Sequence, residues 1–357
     1  MGEFIIMNID QPIPISGKDK KILIIGLGQI GFSNAEYMSS LGLKVDGYDI
    51  NDKAVKRALD AKIIQNKATS FSDYDYYIIC ISTHNPEKMY MPFLDGLFQI
   101  AHRIKNEGKT NALVGIDSTI TRGTSNKILK ILEHRLHVSH VPHRFYINEQ
   151  IEHGVKQTRV LGGCESCCVK EAVHFYNELL NIPLHIVTPI DIAELTKVVE
   201  NSYRFMEIAF AEELKIVCDN SNVDFKELRQ AINTKWNIEI LDAKEGIGGH
   251  CLPKDSQMFL DLTKNILPHS LLETAKIIDS RYRRHIDLLQ NTTVSEPYEN
   301  NLVPDQSLTA ETISSLKNEF NVTETDVKAY LYSIIKKIID EDPELVKNTV
   351  YPKQDSR

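Results

Sequence analysis

The chain has 357 residues, of which 42% are hydrophobic and 25% charged, and its formal net charge is −8 at pH 7. This length allows two domains, and the acidic balance argues against general binding to nucleic acid or to an anionic membrane. No apolar run approaches the roughly 20 residues that span a bilayer, and six cysteines are too sparse for a disulfide scaffold, so we expect a cytoplasmic protein.

Residues 1–17 lack a basic start and a small-residue cleavage site, so we expect a flexible segment and no secretion signal. The next element is predicted to be a strand, residues 22–25, followed by Gly26, Gly28 and Gly31 in GxGxxG spacing and then by a helix. The three glycines permit a tight turn, close approach of a pyrophosphate and close packing of the helix on the strand.

A second predicted strand ends at Asp49, where a carboxylate accepts hydrogen bonds from ribose hydroxyls and repels the 2′-phosphate of NADP. The pattern therefore predicts a Rossmann domain that binds NAD, over residues 18–187; the alternative is a Rossmann fold that has lost its nucleotide. The predicted cofactor-binding residues lie in the glycine loop, at the first helix turn and at strand ends: Gly26, Gly28, Gln29, Ile30, Gly31, Asp49, Thr83 and Thr119.

Further strands are predicted at residues 74–83, 111–120, 137–145 and 158–163. Ligands of open parallel sheets bind beyond the carboxyl ends of the strands, where Thr83, Thr119 and His143 are expected. Each of these residues could equally be an ordinary cap or turn residue.

The sequence CESCC, residues 164–168, suggests a metal site. No second CxxC and no His pair completes four zinc ligands at the usual spacing. We therefore expect no metal and interpret these cysteines as part of a helix start.

A long helix is predicted over residues 188–220, and Pro189 and Asp191 suit its first turn. Lys197 and Asn201, spaced i and i+4, share one face of this helix. Alone they would be an ordinary solvated pair. An apolar stripe follows helical spacing along the same segment: Ile192, Leu195, Val199, Met206, Phe210, Leu214 and Val217.

Further along, GIGGHCLPKD, residues 246–255, surrounds one cysteine with glycines. This loop, the GxGxxG segment, DSTITRGT (117–124) and AELTKVVENSYR (193–204) together resemble the UDP-glucose/GDP-mannose dehydrogenase family over about residues 20–290. PHR at 142–144 and GGHC are similar to the UDP-N-acetylmannosamine dehydrogenase branch, and PKD is similar to the UDP-glucose branch. The implied fold is α/β, with an N-terminal Rossmann domain and an all-helical central domain over 188–290, to which the sequence itself adds a short helical tail.

The resemblance implies that NAD oxidises a primary alcohol of a sugar or nucleotide sugar to a carboxylate in two hydride transfers. Cys251 would add to the intermediate aldehyde, giving a thiohemiacetal and then a thioester. Lys197 close to Cys251 would lower the thiol pKa. The other implied roles are oxygen binding by Lys197 and Asn201, proton acceptance by Asp255, water positioning by Thr119, and sugar binding by Gly248, Gly249 and Lys254.

Two departures from the family pattern are apparent. His143 stands where the family has a glutamate tied to thioester hydrolysis, so either a histidine base or an aldehyde product is expected; Asp117 stands where many relatives have lysine. Residues 291–357 predict a polar linker and tail helices instead of the family's second Rossmann-like domain.

Two other functions stay open. A two-electron β-hydroxyacid-type or small-alcohol dehydrogenase would use the same Rossmann domain without the cysteine. A non-catalytic NAD-binding assembly protein would use the tail for docking. The resemblance also places a dimer contact on the long helix, so we expect a homodimer.

Overall fold

A computed structural model of the chain describes residues 19–88, 90–145 and 148–291. The predicted flexible segment, residues 1–17, and the predicted tail beyond residue 291 lie outside this part of the chain. Within the described part, none of the helices combines the length and the apolar character needed to cross a bilayer.

A seven-stranded sheet forms the centre of the N-terminal region, with strand order β2-β1-β3-β4-β5-β6-β7. The strands are β1 Lys21–Ile25, β2 Lys44–Tyr48, β3 Tyr76–Ile79, β4 Leu113–Ile116, β5 His137–His140, β6 Arg159–Gly163 and β7 Leu184–Ile186. Strands β1 to β5 are parallel, β6 is antiparallel to β5, and β7 is parallel to β6. The predicted α/β class is confirmed, but β3 to β5 are shorter than predicted because their last residues form connecting loops.

Helices cover both faces of the sheet, so the central strands are apolar on both sides. They are α1 Gln29–Ser40, α2 Asp52–Asp60, α3 Asp95–Glu107, α4 Thr124–Ile131 and α5 Ser166–Val173, with π-helical segments at Ile151–Val155 and His174–Leu179. One buried cluster packs Ile22 and Ile24 against α1 and Phe175, and the other packs Leu23 and Ile25 on the opposite face. Alternate side chains of β1 therefore pack into two hydrophobic cores, one on each face of the sheet.

The second helical region contains α6 Ile190–Asn220, α7 Phe225–Ile232, α8 Cys251–Thr263 and α9 Leu271–Asn291. Helix α6 is 31 residues long and packs against α8 and α9 through a small core around Phe205 and Ala209. The predicted apolar stripe does not form this buried face, because four of its members are about half exposed: Ile192 44%, Val199 44%, Phe210 53% and Val217 54%.

Candidate active site

The first glycine loop, residues 26–31, joins β1 to α1 by close backbone packing. Gly26 has φ +92°, and a Cβ there would lie 2.7 Å from the Cys80 carbonyl oxygen; a Cβ on Gly31 would lie 1.8 Å from the Gly26 oxygen. Gly28 differs, because a Cβ there would meet no atom of the described part of the chain within 4 Å. Since α1 starts at Gln29 without a side-chain cap, its first N–H groups and the open space at Gly28 suit a phosphate.

Asp49 follows β2 and is held by the same loop. Its carboxylate accepts hydrogen bonds from the backbone N–H of Leu27 (2.7 Å) and of Asn51 (2.8 Å). Arg57 donates to the Leu27 carbonyl (2.8 Å). Beside Asp49, Ile50 is 92% exposed, an apolar surface that the sequence analysis missed. This arrangement could hold the ribose and the base of a dinucleotide.

Thr83 and Thr119 lie beyond the carboxyl ends of β3 and β4, which are neighbours in the sheet. The Thr83 hydroxyl donates to the Thr119 carbonyl (2.8 Å) and accepts from the Lys254 ammonium group (3.2 Å). The His84 and His250 rings also approach, with centroids 4.7 Å apart. The start of α8 is therefore docked on the edge of the sheet where the first glycine loop lies.

The second glycine loop, residues 246–250, leads directly into α8 and is fixed by α9. Asp279 accepts a hydrogen bond from the Ile247 N–H (2.7 Å), and Arg283 donates to the Ile247 carbonyl while pairing with Asp279 (3.2 Å). Gly246 has φ +89°, and a Cβ there would lie 2.9 Å from the Arg283 guanidinium carbon. At Gly248 and Gly249, by contrast, a Cβ would meet none of the described residues within 4 Å, as a site for close ligand approach requires.

Lys197, Asn201 and Asp255 come together between α6 and α8. The Asn201 amide donates to one Asp255 oxygen, and Lys254 pairs with the other. Burial lowers the pKa of Lys197, although the charges of Glu200, Asp255 and Cys251 oppose that effect. Lys197 and Asn201 are therefore not an ordinary solvated pair. Lys254 is 4% exposed and bound to Thr83 and Asp255, so its position suits holding those groups better than touching a substrate.

Cys251 is the first residue of α8, and its side chain reaches solvent. Desolvation by the surrounding protein, reinforced by the Asp255 carboxylate, nevertheless raises the pKa of its thiol. Lys254 and Lys197 act in the opposite direction, as the sequence predicts for Lys197, but they do not outweigh the other two effects. The thiol is thus mostly protonated at neutral pH.

His143 lies beyond β5 and is 2% exposed, and neither ring nitrogen has a hydrogen-bond partner among the residues that the structure describes. Burial, with Arg159 and Lys197 nearby, holds the pKa of its ring well below the usual range. The ring is therefore neutral and a weak base.

Asp117 is the centre of a buried polar network beneath this edge of the sheet. It accepts hydrogen bonds from Asn34 (2.8 Å) and Tyr176 (2.7 Å), and it pairs with Arg159 at 2.8 Å. Asp117 and Arg159 are each 1% exposed. A buried ion pair is retained only when hydrogen bonds satisfy both partners, and this network supplies them for the carboxylate.

A cleft of about 640 Å³ opens beside Lys197. Its lining is mostly polar: Arg144, Phe145, Glu149, His153, Gln157, Lys197 and Glu200. Arg144 pairs with Glu200 and donates to the Thr158 carbonyl (2.7 Å). The sequence analysis assigned no ligand role to these residues apart from Lys197: Arg144 and Glu200 were noted only within family motifs, and Phe145, Glu149, His153 and Gln157 lie outside the quoted motifs. Polar walls of this kind can bind the hydroxyl groups of a sugar.

Residues 191–281 match the central domain of the UDP-glucose/GDP-mannose dehydrogenase family. Over this segment the chain is similar to that family. The match includes Lys197, Asn201, Cys251 and Asp255, so the resemblance carried by the sequence motifs is confirmed.

Two relatives are named UDP-N-acetyl-D-mannosamine dehydrogenase. The protein from Methanococcus maripaludis is 28% identical over 69% of this chain and 62% of its own length. The protein from Campylobacter jejuni is 31% identical over 66% of this chain and 66% of its own length. A solved structure of UDP-D-ManNAc dehydrogenase from Pyrococcus horikoshii is 25% identical, with a TM-score of 0.67 over 76% of this chain and 70% of that one. The match thus spans less than two thirds of the Methanococcus relative.

Proposed function

We propose that this chain is an NAD-dependent dehydrogenase that oxidises a primary alcohol of a sugar or nucleotide sugar to a carboxylate. The observation that carries the proposal is the meeting of Lys197, Asn201 and Asp255 beside Cys251, with Lys254 bound to Thr83. A structural thiol needs no lysine and no carboxylate around it. Four-electron oxidation of an alcohol needs a base, an oxygen-binding group and a nucleophile.

The first glycine loop fits NAD, because Gly28 leaves open space at the start of α1 and Asp49 ends the next strand. When bound, NAD accepts the hydride in each oxidation. Gln29 and Ile30 would donate backbone N–H groups to the phosphates, and Asp49 would accept from the ribose hydroxyls. A carboxylate at Asp49 disfavours the extra phosphate of NADP.

Lys197 and Asn201 would hold the reacting oxygen, and Asp255 would accept its proton through a water that Thr119 positions. The lowered pKa of Lys197 suits this role, because a partly buried ammonium group that faces the cleft can bind a developing alkoxide. Asn201 would be released from Asp255 to donate to the substrate. Of these groups, Asn201 and Asp255 already form a hydrogen bond, and the charge of Asp255 acts on Lys197.

The aldehyde formed first cannot lose a second hydride until a nucleophile adds to it. The Cys251 thiolate would form a C–S bond to the aldehyde carbon while the oxygen takes a proton, giving a thiohemiacetal. Loss of a hydride and a proton would give a thioester. Water would then break the C–S bond and return the thiolate, and His143 is the candidate base for that step.

The substrate is inferred from the cleft and from the relatives. A cleft lined by Arg144, His153 and Gln157 suits sugar hydroxyl groups, and the relatives named above act on UDP-N-acetylmannosamine by name. We also propose a cytoplasmic homodimer. The exposed apolar side chains of α6, among them Tyr203 and Phe210, support the dimer.

NADH formation tests the proposal, with a panel of UDP-N-acetylmannosamine, UDP-glucose, UDP-N-acetylglucosamine, GDP-mannose and the matching free sugars and sugar phosphates. We expect one panel member to yield two NADH per molecule and a carboxylate. Cys251→Ala should abolish acid formation, whereas Cys218→Ala, a buried cysteine on α6, should keep it. Full acid formation by Cys251→Ala would disprove the thioester route.

A second candidate is a two-electron dehydrogenase that releases the aldehyde or ketone. The weak base at His143 and the raised pKa of the Cys251 thiol favour it, because both slow the thioester steps. One NADH per substrate, with turnover unchanged in Cys251→Ala, would support this candidate over the first.

A further inference from the structure

A cluster of cysteine and histidine side chains lies at the edge of the sheet away from the candidate active site. His137 is the first residue of β5, whereas the active-site loops follow the carboxyl ends of β3, β4 and β5. Cys167 and Cys168 lie in the first turn of α5. Because β6 is antiparallel to β5, Cys164 at its end returns to this edge, where its N–H donates to the Val138 carbonyl (3.1 Å).

The ligand atoms of His137, Cys167 and Cys168 all lie within 4.8 Å of one another. Three atoms this close share a centre at most about 2.8 Å from each, whereas zinc binds sulfur at about 2.3 Å and nitrogen at about 2.0–2.1 Å. The side chains must therefore close in by less than an ångström. Cys167 is exposed, so its side chain can rotate to do so.

Two backbone features would support metal-bound sulfurs, although burial raises the pKa of the free Cys168 thiol. The Val138 N–H donates a hydrogen bond to the Cys168 sulfur at 3.4 Å. Both cysteines lie at the N-terminal end of α5, where the helix dipole stabilises negative charge. Hydrogen bonds of this kind orient metal ligands and tune their affinity.

Glu165 lies outside this three-residue group but contacts Cys167. Its carboxylate accepts from the Cys167 thiol (3.6 Å) with one oxygen and contacts His134 Nδ1 (3.1 Å) with the other. A carboxylate, an imidazole and two thiolates form a donor set that suits tetrahedral zinc.

We propose that His137, Cys167 and Cys168, with Glu165 or a water molecule as fourth ligand, bind one zinc ion that ties β5 to the start of α5. Binding releases the two thiol protons to solvent, and no electron is transferred. The site is structural, because it lies at the opposite edge of the sheet from Cys251 and Lys197. It stands independently of the proposed dehydrogenase activity.

Cobalt(II) is the probe, because cobalt bound tetrahedrally by thiolates gives a charge-transfer band and intense visible bands. The titration uses the reduced full-length chain carrying Cys251→Ser, so that the exposed active-site thiol cannot compete. We expect one cobalt per chain, displaced by one equivalent of zinc. Zinc should also raise the Tm.

Cys167→Ser is the decisive variant, because its side chain is exposed and its loss should not unfold the chain. It should remove the charge-transfer band and the zinc-dependent rise in Tm, and His137→Ala should weaken cobalt binding at least about tenfold. Cys164→Ser is the matched control, a neighbouring cysteine outside the three-residue group, and should keep both signals.

The proposal is overturned if the parent binds no cobalt with thiolate character, if Cys167→Ser keeps the band, or if Cys164→Ser loses it. A zinc-dependent rise in Tm that persists in Cys167→Ser would assign the metal to another part of the chain.

Discussion

Glycine has a different structural role in each of the two glycine loops. In the first glycine loop, Gly26 and Gly31 pack against backbone atoms, so the shape is fixed by the chain itself. In the second, Asp279 and Arg283 of α9 hold the peptide of Ile247, and the functional groups come from α6 and α8. The first loop is built from local sequence, and the second depends on side chains far along the chain.

This difference predicts which property of each loop a substitution should change. The first loop presents backbone N–H groups that carry no titratable charge. The second lies among charges whose pKa values are shifted, with that of Lys197 lowered and that of Cys251 raised. Substitutions at the first loop should therefore alter cofactor affinity, and those around the second should alter rate and pH dependence.

The largest effect is expected at Lys197. Removing one pre-placed donor to a reacting oxygen lowers kcat by about 10²–10³, so Lys197→Met should lose that much in steady-state NADH formation. Lys215→Met is the matched control on α6, where Lys215 pairs only with Asp219 among the residues that the structure describes. Equal kcat values for the two variants would show that Lys197 does not take part in the reaction.

The next largest effect is expected for the pH dependence of stability when Glu212 of α6, beneath the second glycine loop, is substituted. It is fully buried, and burial, with Asp279 nearby, raises its pKa from 4.5 to about 8. The folded state therefore binds a proton that the unfolded state releases, so stability is present below pH 4.5 and is lost as pH rises towards 8.

Between pH 6 and pH 8 this loss is about 2 kcal/mol, from about 1.4 kcal/mol per pH unit. Glu212→Gln should abolish it in urea unfolding measured at both pH values. Glu213→Gln, at the exposed neighbouring position, should retain it. A Glu212→Gln variant with an unchanged pH profile would show that the carboxyl group is not buried as described.

A substitution at Gly28 should weaken cofactor binding without affecting folding. Its φ is −67° and a Cβ there meets nothing, so Gly28→Val should leave the Tm unchanged. The side chain should nevertheless block the pyrophosphate, and losing one or more charge-assisted hydrogen bonds weakens NAD binding by about tenfold or more.

Isothermal titration with NAD measures this effect, with Gly96→Ala in α3 as the control that keeps its affinity. Unchanged affinity in Gly28→Val would mean that the phosphates bind elsewhere.

The smallest change in a measured quantity is expected for the alkylation rate of Cys251 when Asp255 is substituted. Its carboxylate raises the pKa of the Cys251 thiol, so Asp255→Asn should lower that pKa and increase the thiolate fraction. Alkylation of Cys251 by iodoacetamide at pH 8 should become several-fold faster, although turnover falls. Asp261→Asn, on the same helix, is the control, and rates are measured by mass spectrometry of the Cys251 peptide. Slower alkylation would mean that Asp255 activates the thiol directly.

Much of the fold was predictable because it is encoded locally. The strand predicted at residues 22–25 is Lys21–Ile25, and the helix predicted over residues 188–220 is Ile190–Asn220. The outward direction of the apolar stripe was not predictable, because periodicity gives a face but not what covers it. The shared face of Lys197 and Asn201 followed from helical spacing.

The contacts that complete the candidate site could not be read from the sequence. Asn201 bonds Asp255 at a separation of 54 residues, and Lys254 bonds Thr83 at 171. His137 approaches Cys167 and Cys168 in the same way, and nothing in the CESCC motif indicates that this histidine lies beside it. Sequence motifs indicate which residues belong to the site, but only the packing of the sheet and helices shows which of these residues contact one another.

The buried pair of Asp117 and Arg159 also constrains how this protein can evolve. The family resemblance implies lysine in many relatives at the position of Asp117, yet a lysine beside Arg159 would bury two cations in one network. Losing one partner of a buried pair alone costs about 3–5 kcal/mol, much of a domain's stability. We therefore expect the effects of substitutions at positions 117 and 159 on the free energy of unfolding to be non-additive.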